Sequence, residues 1–195
     1  KWGRKLGISL VRLALASFIG LIVCGISAGV GIFKGILAST PRIALEAVAA
    51  TGEATIVYDR EGNEIDQYVS MNSNRIQINN MDLIPKHLGQ AFVAIEDERF
   101  YQHNGIDYYG IGRAAWRFVQ TMGKSKEGAS TITQQLIKNN VLTTWTSETD
   151  KNFAVKLKRK IQEQYLAIRL EESMSKDKIL ENYMNTINLG QNTLG

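Results

Sequence analysis

The chain has 195 residues, room for one domain of ordinary size. Its 23 Lys and Arg exceed its 19 Asp and Glu by four, and four cations (Lys1, Arg4, Lys5, Arg12) stand in the first twelve residues with no acid among them. The remainder is charge-balanced, which argues against a nucleic-acid partner, since such a binder carries its excess on the folded part; the single cysteine, Cys24, excludes an internal disulfide.

The first element is apolar. Leu13 to Phe33, "LALASFIGLIVCGISAGVGIF", holds no charged residue, and as a helix it reaches ~30 Å, the thickness of a hydrocarbon core. The cations before it outnumber the lone Lys34 after it, so the positive-inside rule places the N-terminus in the cytoplasm and the rest outside. The alternative is a cleaved signal peptide, whose apolar core is shorter than this run. Gly25 and Gly29 form a GxxxG pair, a spacing that suits helix dimerisation and is also common in any membrane span. The organisation expected is a basic cytoplasmic segment (1–12), a transmembrane anchor (13–33), a connector (34–53) and the main domain (54–195), truncated at its C-terminus.

The connector is Ala-rich, with a short helix expected in "RIALEAVAA". "ATIVYDREGNEIDQYV" alternates and turns at "DREGN", which predicts a small hairpin, and "RIQI" is a candidate third strand. From Pro85 on, every periodic segment is helical. In the first of these, Leu88, Phe92 and Glu96 fall at i, i+4, i+8, with Ala91 and Ile95 beside them. Glu96 thus continues an apolar stripe, a setting that suits a general base; the plain alternative is a frayed helix end with Glu96 turned outward. The next, "EGASTITQQLIKNN", offers Ser130 as a cap and stacks Ser130, Gln134 and Lys138 on one face. That face suits phosphate or sugar oxygens, helped by the helix amides, but equally fits an ordinary amphipathic helix. In "FAVKLKRKIQEQYLAIRLEE" the apolar stripe is Leu157, Ile161, Tyr165 and Ile168, and Arg159 and Lys160 with Glu163 read either as solvated pairs or as a carboxylate in a cationic pocket. "KDKILENYMNTINLG" buries Ile179, Leu180, Tyr183, Met184 and Ile187, with Gly190 as its stop. The segment 100–128 alternates aromatics with Arg and Lys, as a membrane interface or a rimmed core helix would.

Four pieces in order, "EDERFYQHNG" (96–105), "GASTITQQLIKN" (128–139), "RKIQEQYLA" (159–167) and "KDKILENYMNTINLG" (176–190), resemble the motifs of the peptidoglycan glycosyltransferases of family 51. That family comprises the transglycosylase domains of class A penicillin-binding proteins and the monofunctional transglycosylases. The resemblance implies a mostly α fold: an anchor helix, a small β element and a lysozyme-like glycosyltransferase lobe, here C-terminally incomplete. It implies polymerisation of lipid II onto a lipid-linked glycan chain, with inversion and release of undecaprenyl pyrophosphate. On the matching positions it implies Glu96 as base and Glu163 as second essential carboxylate. Ser130, Thr131, Gln134, Gln135, Lys138, Arg159, Lys160 and Asn185 would serve substrate or pyrophosphate binding, with Asp97, Phe100, His103 and Gly105 supporting the turn. A divalent cation (Mg or Mn) would assist the pyrophosphate, with no ligand identified. Single-pass residence in a bacterial cytoplasmic membrane and contact with other cell-wall synthesis and division proteins also follow.

The chain departs from the family pattern between Lys138 and Arg159, where the link is longer and holds no Arg; Lys151 and Lys156 are candidate substitutes. The family's fifth motif, expected beyond Gly195, and a transpeptidase domain with its catalytic SxxK serine are not expected within these 195 residues. Two other readings, a lysozyme-like lytic enzyme and a non-catalytic membrane scaffold, differ in what they need: neither requires a pyrophosphate site, and the second requires no intact carboxylates.

Overall fold

The computed structural model describes residues 2–44, 47–49, 55–68, 78, 80–125, 127–142, 152–190 and 193–194. It divides into two units, Lys1–Pro41 and Arg42–Gly195.

The first unit is one helix, α1 (Trp2–Ala38). Its apolar part, Ser9–Ala38, contains an 18-residue stretch of mean hydropathy 2.3, none of it buried. Thirty residues of helix reach about 45 Å, more than the ~30 Å of a bilayer core, so the helix fits a membrane anchor. It is longer at both ends than the 13–33 read from the absence of charge, and takes up residues 34–38 of the expected connector. Single charges such as Arg12 and Lys34 end an apolar count but not a helix, because both are good helix formers. Gly25 and Gly29 leave bare backbone, with nothing within 4 Å of where a Cβ would stand.

In the second unit, the expected short helix in "RIALEAVAA" is described only in part: residues 42–44 are irregular, and Ala47 closes a tight helical turn by donating to the Ala44 carbonyl at 2.9 Å. Val48 is buried in the core, and its carbonyl accepts from Asn140 Nδ2 at 2.6 Å. The hairpin forms as expected. Strands β1 (Thr55–Tyr58) and β2 (Glu64–Tyr68) pair antiparallel, Thr55 opposite Tyr68, with a bulge after Val57. Asp59 holds the turn by accepting from Asn63 N at 2.7 Å and Asn63 Nδ2 at 2.9 Å. Of "RIQI", only Ile78 is among the described residues.

Among the described residues, five α-helices carry the rest: α2 (Lys86–Glu96), α3 (Tyr108–Gln120), α4 (Ile132–Asn140), α5 (Phe153–Ser173) and α6 (Lys176–Met184). Two short strands follow, β3 (Asn188–Gly190) and β4 (Thr193–Leu194). Each of α3 to α6 starts on a side chain that takes up a free amide: Asp107, Thr131, Asn152 and Ser175 accept from Gly110, Gln134, Ala154 and Lys178. At the end of α6 the chain leaves the helix at Asn185, before Gly190, which lies in β3.

The core is the meeting of α4, α5 and α6: Ile132, Leu136, Ile137, Leu166, Leu170, Ile179, Leu180 and Tyr183 are buried, with Phe100 from the turn after α2. Each such side chain stabilises the fold by ~1.5–3 kcal/mol relative to exposure. Helix α2 joins through Gly89, which faces Leu180 closely enough for a Cβ to meet it at 3.5 Å, and through Phe92 and Val93.

Two apolar stripes lie elsewhere than the periodicity indicates. On α2, Ile95 is 81% exposed and Leu88 half-exposed, while Gly89, Phe92 and Val93 turn inward. On α5, Leu157 and Tyr165 face out, and the buried side is Gln162, Glu163, Leu166, Ala167 and Leu170. The reason is shared: the inward face of each helix ends at polar groups bound to one another, so polarity no longer marks the outside.

Candidate active site

Glu96 is the last residue of α2, half-buried. It follows Gly89 and Phe92–Val93 on the inward face at i, i+3, i+4, i+7, so it does end an apolar stripe, though not the one through Leu88. Its Oε2 accepts from Gln135 Nε2 of α4 at 2.8 Å. The other end of that amide, Oε1, accepts from the Tyr183 hydroxyl of α6 at 3.1 Å. Three helices thus converge on one carboxyl.

The next residue faces the other way. Asp97 is buried and accepts from His103 Nε2 at 3.0 Å and from the Ile132 amide at 3.1 Å. An acid at the first amide of α4 also meets the positive end of the helix dipole. Asp97 therefore ties the end of α2 to the start of α4, with His103 as its clasp, and Phe100 packs edge-on to the His103 ring at 6.4 Å. Phe100 and His103 together fix the turn that aims Glu96.

Gly105 completes this turn. Its φ is +84°, and a Cβ there would stand 2.7 Å from the Ala167 carbonyl carbon of α5, so the position takes only glycine without backbone movement. The Gly105 carbonyl accepts from Thr131 Oγ1 at 2.8 Å and from Gln134 Nε2 at 3.0 Å. Thr131, and not Ser130, is the cap of α4.

Ser130, one residue earlier, is exposed and accepts from Lys160 Nζ at 2.9 Å. Lys160 also donates to Gln134 Oε1 at 2.8 Å and to Glu163 Oε2 at 3.3 Å. Glu163 is buried on α5, and its other oxygen pairs with Arg159 Nε at 3.3 Å. Of the two readings of "RKIQE", the carboxylate in a cationic pocket is the one that forms. The single stripe expected of Ser130, Gln134 and Lys138 divides: Gln134 is buried under Lys160, and Lys138 is exposed, without a hydrogen bond or ion pair among the described residues.

Glu96 and Ser130 line one cleft of about 230 Å³ between the end of α2 and the start of α4. Arg113 and Glu127 close its rim, paired at 3.0 Å. Below them Arg99 holds Asp107 through two nitrogens, Nη2 at 2.6 Å. That hydrogen bond, more than any other contact, holds the Asp107 carboxyl below its ordinary value.

Asn185 stands apart. Its amide accepts from Ile78 N at 2.9 Å and donates to Ile78 O at 2.8 Å, which makes it a wall-holder of the unit. Lys151 lies outside the described residues, and Lys156 is exposed. Tyr183 was legible only as a core residue; nothing in its apolar stripe signals that its hydroxyl reaches the amide beside Glu96. The pairing of Arg99 with Asp107 likewise joins two positions that no motif links.

Residues 61–195 match the protein family described as Transglycosylase. The chain belongs to this family, the family 51 glycosyltransferases. It is 41% identical over 179 residues to penicillin-binding protein 1A of Clostridium perfringens strain 13, covering 89% of this chain and 25% of that protein. To penicillin-binding protein 1A of Clostridium botulinum strain Langeland it is 39% identical over 191 residues, covering 96% and 22%. To penicillin-binding protein 1F of Bacillus subtilis strain 168 it is 39% identical over 192 residues, covering 98% and 24%. The chain spans about a quarter of the length of these curated relatives. Every motif on which the resemblance rested lies within the matched transglycosylase segment, and so do the Glu96 and Glu163 groups.

Proposed function

We propose that the second unit is a peptidoglycan glycosyltransferase that extends a lipid-linked glycan with lipid II. The observation that carries this reading is the shared cleft: a carboxylate, Glu96, and a hydroxyl, Ser130, line one space, and that hydroxyl accepts from Lys160. In this reading the 4-hydroxyl of the lipid II GlcNAc attacks the anomeric carbon of the donor glycan. Glu96 takes the hydroxyl proton as the new C–O bond forms. The bond to undecaprenyl pyrophosphate breaks on the opposite face, and the pyrophosphate leaves with the electron pair and the configuration inverts. Charge grows on the leaving oxygens, where Lys160, Ser130 and exposed Lys138 supply donors. Glu163 then holds Arg159 and Lys160 in place, and does not itself touch the sugar. A lytic enzyme has no use for that cationic group, because cleaving a glycan releases no pyrophosphate.

A divalent cation has little to bind in the protein alone. Among the described residues no three of His, Cys, Asp and Glu come together as ligands, and both oxygens of Glu163 are engaged by Arg159 and Lys160. The described residues therefore do not form a resident metal site. In the cell, α1 would be a single-pass anchor with the basic N-terminus cytoplasmic and the catalytic unit outside, in reach of lipid II and of other wall-building proteins.

The test is polymerisation of lipid II by the full chain. Glu96→Gln should lower the rate ~10²–10⁴-fold, the range of a positioned base, with melting temperature little changed. Equal polymer from both proteins refutes the base; shortening of preformed glycan by the wild type refutes the synthetic reading.

A further inference from the structure

Glu96 is held by a side chain that is itself held. The Gln135 amide has one donating end and one accepting end. An ionised carboxylate only accepts, so the donating end must face Glu96, as it does at 2.8 Å. Turned over, the amide would set its carbonyl oxygen against the carboxylate. That arrangement suits only the protonated acid, which alone has a hydrogen to give. The amide's orientation and the proton on Glu96 are therefore coupled, and the base takes up a proton at every turnover, which removes its own preference for one orientation.

We propose that Tyr183 is a positioning residue for the base, acting through Gln135: its hydroxyl locks the amide in the orientation that keeps Glu96 ionised and ready. This rests on Glu96 being the base. The Tyr183 ring is fully buried, and Phe92, one turn before Glu96, packs edge-on against it at 6.2 Å and 82°. The ring has no room to follow a turning amide. Burial first, and then the Glu96 charge, push the phenol up to about 12, so its proton stays on across the working range and the hydroxyl always donates. Donation to Gln135 Oε1 at 3.1 Å thereby fixes the far end of the amide whatever the state of Glu96. The other charged groups sharing the Glu96 cleft are Asp97, Glu98, Arg99, Asp107, Arg113 and Glu127. None of these hydrogen-bonds Gln135 or Tyr183, so substitutions at 135 and 183 leave their pairings intact.

The experiment is the pH dependence of kcat for lipid II polymerisation by the full chain, for wild type, Tyr183→Phe, Gln135→Met and the double variant. Tyr183→Phe keeps the ring and removes one oxygen. Its acid limb should move up by about one pH unit, a roughly tenfold loss of kcat on that limb, with KM unchanged. Gln135→Met should shift the limb at least as far, and adding Tyr183→Phe to it should shift it no further. An unmoved limb in Tyr183→Phe or an additive double variant overturns the proposal. An active Glu96→Gln sinks the base assignment instead; an inactive Glu96→Gln with an unmoved Tyr183→Phe limb sinks only this inference.

Discussion

Replacing Gly105 by alanine tests whether the turn after α2 is truly pressed against α5. The position has φ +84°, and a Cβ would lie 2.7 Å from the carbonyl carbon, 2.8 Å from the carbonyl oxygen of Ala167 and 2.9 Å from the Ile168 nitrogen. All three are backbone atoms inside a 21-residue helix, so no side chain can swing away. Left-handed backbone for a non-glycine residue costs roughly 1–2 kcal/mol, and forcing a methyl into packed structure typically about 1–3 kcal/mol more. The expected loss is about 2–5 kcal/mol, a fall in melting temperature of roughly 5–15 °C. Gly62 is the control: its φ is +88° with nothing within 4 Å of a Cβ, so Gly62→Ala carries the backbone cost alone, ~1–2 kcal/mol. Thermal melts of the full chain in detergent, read beside lipid II polymerisation, separate the two. Gly105→Ala should also lose activity, because the Gly105 carbonyl anchors Thr131 and Gln134 at the start of α4. A Gly105→Ala protein no less stable than Gly62→Ala would refute the close approach and the account of the turn built on it.

Lys160→Met removes the one cation that joins Ser130, Gln134 and Glu163, and should lower polymerisation at least ~10²-fold while a gel-based binding assay still finds the protein in membranes. Asp107→Asn probes acid stability. Arg99 holds the Asp107 carboxyl below its ordinary 3.8, so its contribution is present above that value and is lost as pH falls through the lowered one. Urea midpoints between pH 6 and pH 2 should therefore fall less steeply for Asp107→Asn, the two curves converging at the acid end; parallel curves would refute the pairing.

The helices were legible because their apolar periods are local, and the hairpin announces itself at "DREGN"; the cap of α4 was not, since the sequence points to Ser130 where Thr131 serves. Local signals failed where the site begins. An amphipathic reading assumes that the buried side is apolar, yet α5 turns Gln162 and Glu163 inward and leaves Leu157 and Tyr165 outside. Charge pairs such as Arg159 with Glu163 look the same on a solvated helix and in a pocket; only burial separates them, and burial depends on α4. Ser130 and Thr131 are both good caps, and the choice between them is made by the Gly105 carbonyl 26 residues away. Asn185 reads as a polar residue free for substrate, but its partner is a backbone position 107 residues upstream. The motif resemblance located the site as a set of positions, and what each position does inside it is decided by such distant pairings.

The triad of Glu96, Gln135 and Tyr183 also has a consequence in time. Eighty-seven residues separate its first and last members, about 4–17 s of chain growth at 5–20 residues per second. Gln135 is made 48 residues before Tyr183, and until Tyr183 follows, the amide that holds the carboxyl has no phenol to hold it in turn. A nascent chain therefore carries a sequence signature of the site, and even its base and amide, before it carries the residue that orients them.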